Sequence, residues 1–127
     1  MTMERPQEEI EWYFERFTET IQKHQTVRAD LSPMKIQYKV RTQKGRVYWK
    51  IFVDTHDFAT HGSQDSHVVL IRTNIFGFVR RKDGAIFRAA TYKAPETRTK
   101  TAIRGYVFDD DPSQHFTEWG ITYAEGS

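Results

Sequence analysis

The chain has 127 residues, no cysteine, a formal net charge of +2 and a mean hydropathy of −0.71. The length suits one domain, and the missing cysteine excludes disulfides and zinc–thiolate sites. No stretch nears the roughly 20 apolar residues that span a bilayer, and Met1–Glu9 has no apolar run of the kind a signal peptide needs, so a soluble protein with no membrane partner is expected.

Aromatic residues make up 14% of the chain and can supply much of a thin core. Residues 6–24 place Ile10, Tyr13, Phe14, Phe17 and Ile21 at helical spacing, which predicts an amphipathic helix whose stripe covers a sheet. Pro6 and the acidic residues Glu8, Glu9 and Glu11 suit its first turn. Trp12 falls off the stripe and reads as a rim or contact residue. Residues 28–33 read as a connector ending at Pro33. Residues 35–42 and 47–54 then alternate: Ile36, Tyr38 and Val40 share one face and Lys35, Gln37, Lys39 and Arg41 the other, and Val47, Trp49, Ile51 and Val53 oppose Tyr48, Lys50, Phe52 and Asp54. With the turn at 43–46 they predict a hairpin.

Residues 55–66 read as a polar loop. Strands are expected over 67–73, 74–82 (or a bulged continuation) and 85–91. Asp83-Gly84 predicts a two-residue turn with positive φ at both positions, and Gly77 marks a bulge or a close backbone approach. Another strand is expected near 104–108, and a short helix capped by Asp111-Pro112 that ends near Gly120. The expected architecture is α+β: one N-terminal helix across an antiparallel sheet of four to five strands, in a single domain.

The charge is unevenly distributed. Between Arg72 and Arg104 the chain has nine basic and two acidic residues, a formal +7, whereas the other 94 residues hold ten basic and fifteen acidic side chains, a formal −5. Such clustering favours a polyanionic partner, of which a nucleic-acid backbone is the commonest. Arg80, Arg81, Lys82, Arg88, Lys93, Arg98, Lys100 and Arg104 are the candidate phosphate contacts, and Tyr92 is a candidate stacking platform. The segment 97–101 alternates threonine hydroxyls with Arg98 and Lys100, and both groups suit phosphate oxygens.

The same region carries a resemblance. Phe78-Val79, Asp83-Gly84, the stretch Arg88-Ala89-Ala90-Thr91-Tyr92-Lys93-Ala94-Pro95, Arg104-Gly105 and Phe108-Asp109 resemble the core of a family of small proteins encoded by phages and other viruses. That core runs from an aromatic strand through an Asp-Gly turn to a "KAASWKAPAK" type stretch, then "ARG" and an apolar strand. Tyr48-Trp49-Lys50-Ile51 resembles the "YYKI" strand before it. Here Arg, Thr and Tyr replace Lys, Ser and Trp, and Glu96–Ile103 replaces a short link. The resemblance implies a viral or mobile-element origin, hence host cytoplasm or virion. It implies no activity and no catalytic residue.

Other readings are weaker. Phe76-Gly77-Phe78-Val79 echoes an RNA-recognition strand but lacks its basic-Gly pair and its last aromatic. The stretch 54–67 contains His56, His61 and His67 with three aspartates, a composition that suits a transition metal but matches no ligand spacing. Asp109-Asp110-Asp111 suits helix capping better than cation binding. No cofactor and no catalytic residue are expected. The expected function is a viral accessory protein that binds nucleic acid or another polyanion without sequence preference. The alternative is a virion component or host-protein-binding factor that acts by protein contact, self-association included.

Overall fold

The apolar stripe near the N-terminus winds into one long helix, α1 (Gln7–Asp30), in the computed structural model, which describes residues 5–33, 35–57, 69–98, 102–117 and 119–121. The helix passes the expected end at His24. Its stripe of Ile10, Phe14, Phe17 and Ile21 continues with Gln25, which is completely buried. A polar residue at a core position broke the hydrophobic period that the sequence displays, although the helical spacing itself persists.

Among the described residues five strands follow: β1 (Ile36–Lys44), β2 (Tyr48–Asp57), β3 (Val69–Arg80), β4 (Ala85–Phe87) and β5 (Ile103–Tyr106). They pair antiparallel in chain order, as a meander. A short 3-10 turn, Pro112–His115, leads into a small hairpin of β6 (Phe116–Thr117) and β7 (Gly120–Ile121). Among the described residues no helix is long and apolar enough to cross a membrane.

The helix lies along the β1 edge of the sheet. There the Gln22 side chain replaces a missing strand: its Nε2 donates to the Tyr38 carbonyl at 2.9 Å, and its Oε1 accepts from the Val40 N–H at 2.7 Å. An edge strand exposes alternate backbone groups that invite pairing with another chain, and a covering helix removes that hazard. Inside, Phe14 stacks on Trp49 with centroids 4.1 Å apart, and Phe17 meets Phe116 edge-on. These residues join Ile51, Val53, Phe76, Val79 and Ile86 in the main core.

Several expected elements are redrawn. The strands expected at 67–73 and 74–82 are one, β3, with register shifts opposite Ile51/Phe52 and Thr55/His56, so the bulged continuation is what forms. Gly77 lies at the first shift, where a Cβ would stand 2.4 Å from Ile121 Cγ1 and 3.1 Å from the Phe87 carbonyl oxygen. Only glycine lets β7 rest on the sheet there. The turn after β3 is longer than two residues: the Gly84 N–H bonds the Arg80 carbonyl at 2.8 Å, and only Gly84, at φ 75°, has positive φ. The strand expected over 85–91 stops at Phe87, and the C-terminal helix is the single 3-10 turn and hairpin. The polar loop begins later than expected, because β2 continues through His56 to Asp57.

The chain also builds a second, smaller core on the face away from the helix. Phe78, Ala85, Phe87 and Ala102 are buried there, with Tyr48, Ala89 and Tyr106 packed against them. The segment after β4 folds back to cover this part of the sheet. The β1–β2 half of that face carries charged side chains around the buried ring of Phe52.

Candidate nucleic-acid interface

Strand alternation decides which side chains reach this outer face. The residues of β1 and β2 that point away from the helix include Lys39, Arg41, Lys50, Phe52 and Asp54, by the register Lys39↔Asp54 and Arg41↔Phe52. Phe52 is buried, and the Arg41 guanidinium lies over its ring at 4.4 Å. Lys50 Nζ sits 5.9 Å from the centre of the Phe78 ring. Asp54 orders the group: it accepts from Arg41 Nε at 2.8 Å and from Thr73 Oγ1 at 2.7 Å. Those bonds, the Arg41 one foremost, outweigh burial and hold the Asp54 carboxyl below its ordinary acidity range.

The stretch after β4 supplies a preformed knuckle. Ala89 bridges to Pro95, and the N–H groups of Ala90 and Thr91 both bond the Ala94 carbonyl, at 3.0 and 3.1 Å. Thr91 Oγ1 accepts from the N–H groups of Lys93 and Ala94. The backbone is therefore closed on itself around Tyr92, which remains 51% exposed. Its ring packs at 5.5 Å against Phe52, the ring that Arg41 covers. Arg41, Phe52 and Tyr92 make a continuous cation–aromatic row, with exposed Lys93 beside it.

Arg104 and Arg88 lie next to this knuckle. Phe87 pairs with Ile103, and the register shift between Ile86 and Phe87 places Arg104 at a bulge one step from Arg88. Nε and Nη1 of Arg104 are buried and find no hydrogen-bond partner among the described residues. Burial first, then the neighbouring Arg88 charge, weaken the hold of Arg104 on its proton, while Glu96 opposes them. Glu96 is otherwise engaged, since its Oε1 accepts from the Arg98 N–H at 2.9 Å.

The nine expected contact residues therefore separate into groups. Arg88, Tyr92, Lys93, Arg98 and Arg104 belong to the segment covering the outer face. Arg80 is on that face but is held by Asp83 through Nε at 3.0 Å and Nη2 at 2.7 Å. Burial pushes the Asp83 carboxyl up, and the bonds from Arg80 and the Ala85 N–H pull it lower still, for a net decrease. Arg81 turns away: its Nη1 donates to the carbonyls of Gly45 and Arg46, and its guanidinium is 5.9 Å from the centre of the Trp49 ring. Lys82 is exposed at the turn tip. Lys100, Thr99 and Thr101 lie outside the described residues. Lys39, Arg41 and Lys50 join the face although the count of charge over 72–104 omitted them. Their alternation along β1 and β2 was the signal.

The metal reading receives little geometry. His56 is on β2, with Nδ1 buried and unpartnered among the described residues. His61 and His67 lie outside the described residues, and no three His, Asp or Glu side chains converge among those described. Of the aspartates after β5, Asp111 caps the 3-10 turn. Asp109 accepts from the Tyr106 N–H at 2.9 Å and bonds His115 Nε2 at 2.8 Å, and Asp111 accepts from the Ser113 N–H at 3.2 Å.

The fold and this face define an α+β meander with an acidic helix on one side and a cation–aromatic row on the other. The chain matches a family of unknown function, DUF7717, over residues 2–118, and it belongs to that family. No curated protein and no solved structure matches it.

Proposed function

We propose that this protein is a phage-type accessory protein that binds single-stranded nucleic acid through the outer face of its sheet, without strong sequence preference. One observation carries the reading: a half-exposed tyrosine, Tyr92, is presented by a closed turn and backed by Phe52 and Arg41. A base can stack on such a ring whatever its identity, because every base has a π-face. Arg88, Lys93, Arg98 and Arg104 lie along the same segment to meet phosphates. The expected binding is electrostatic and stacking-driven, to DNA or RNA strands or to a polyanion of similar charge density.

Fluorescence anisotropy with a labelled dT oligonucleotide tests this. Log affinity should fall linearly with log salt, by about 0.7 per phosphate neutralised on a single strand. Replacing Lys93 and Arg98 with Ala should lower both affinity and slope. No binding at low salt would contradict the proposal.

The protein-contact reading has its own observation. Val69, Leu70 and Ile71 run consecutively along the start of β3 and are 49%, 53% and 56% exposed. A second copy could also set its basic outer face on the acidic helix, with exposed Trp12 at the rim, giving a head-to-tail contact. Light scattering at high concentration and low salt checks this, and a strict monomer argues against it.

A further inference from the structure

A second feature lies on the helix side, away from the nucleic-acid face. A cleft of about 370 Å³ opens between the last turn of α1, the middle of β2 and β3, and the β6–β7 turn. Its lining includes Arg28, Val53, Arg72, Asn74, Phe76 and Trp119. Val53 and Phe76 are both 4% exposed and form an apolar floor, whereas the Trp119 indole is 74% exposed. That indole is nevertheless positioned. The Arg28 guanidinium lies 4.5 Å from its ring centre and 4.0 Å from that of Tyr38, and the backbone N–H of Trp119 donates to Thr117 Oγ1 at 3.2 Å. Arg72 shares the strand face of Asn74 and Val53, through the register Arg72↔Thr55 and Asn74↔Val53.

The chemistry of the lining narrows the ligand. Among the described residues the lining holds no carboxylate and presents the Arg72 guanidinium, which favours an anion. An inorganic anion alone would leave the indole and the apolar floor unused. A purely apolar ligand would make no use of the Arg72 guanidinium at the rim. A planar aromatic ring carrying a phosphate satisfies both halves, and the cleft has the volume for one such molecule. We propose that this cleft binds a nucleoside monophosphate, its base resting against Trp119 over Phe76, its phosphate held by Arg72, and the Asn74 amide within reach of polar atoms of the ligand.

The site stands independently of the outer face, and the test separates the two. Calorimetry and amide chemical-shift mapping would use the full chain with adenosine 5′-monophosphate, adenosine and inorganic phosphate as probes. The monophosphate should bind at least about tenfold more tightly than either fragment, since it alone uses both the stacking and the ionic contacts. Shifts should centre on Arg72, Asn74 and the Trp119 indole N–H. Arg72→Ala, an exposed position that leaves the core intact, should weaken binding about tenfold. Tyr92→Ala should leave it unchanged. Binding no tighter than that of phosphate, shifts centred on Tyr92 and Arg88, or an Arg72→Ala variant with full affinity would each overturn the proposal.

Discussion

The two faces of one sheet are built on different terms. Toward α1, large apolar side chains interlock: Phe14 on Trp49, Phe17 on Phe116, with Ile51 and Val79 completely buried between them. Away from it, the burial is patchy and the ordering is polar: Asp54 ties Arg41 to Thr73, Asp83 grips Arg80, and a turn closed on its own backbone carries Tyr92. The helix face therefore holds most of the folding energy. The outer face holds groups that are positioned without being sealed, as a binding surface requires.

Substitutions on each face should separate these roles. Phe17→Ala on the helix face removes a fully buried ring and should cost about 3–5 kcal/mol, read by urea denaturation. Gly77→Ala should cost about 1–3 kcal/mol from overpacking against Ile121, and combining it with Ile121→Ala should return part of that in a double-mutant cycle. If the two costs simply add, β7 does not rest on Gly77 as described.

Asp54→Asn should cost about 1–2 kcal/mol near neutral pH, discounted because Arg41 is half exposed. The Asp54 carboxyl has a lowered pKa in the folded chain, so its contribution is present above the ordinary carboxylate range and disappears as pH falls through the folded-state value. Wild type and variant melting curves should differ at pH 7 and converge in acid. A difference that persists at low pH would mean that the ion pair is not its source. Smallest for the fold is Tyr92→Ala, which should change stability by less than about 1 kcal/mol while lowering single-strand affinity about tenfold.

The helix-facing side was legible in the sequence because its residues repeat. Ile10, Phe14, Phe17 and Ile21, and the alternation through β1 and β2, mark the faces they bury by spacing alone. Gln25 was hidden by its polarity, although it occupies the same stripe. The outer face was only half legible. Counting charge along 72–104 found Arg88, Lys93 and Arg104, but it could not show that Arg80 meets Asp83, that Arg81 bonds the carbonyls of Gly45 and Arg46, or that Arg41 and Lys50 arrive from another hairpin. Those are long-range pairings, fixed by register and turn geometry. The short β4 and the knuckle after it carry no period at all. Their order comes from hydrogen bonds within the turn and from Ala89 and Ala102 packing on Phe78 and Phe87.

The most direct measurement is a chemical-shift map of the isotope-labelled chain titrated with a short dT oligonucleotide at low salt. Perturbations are expected at Arg41, Lys50, Tyr92, Lys93 and Arg104, fading as salt rises. Perturbations confined to α1 and to Val69–Ile71, or none at any concentration, would contradict the proposed interface.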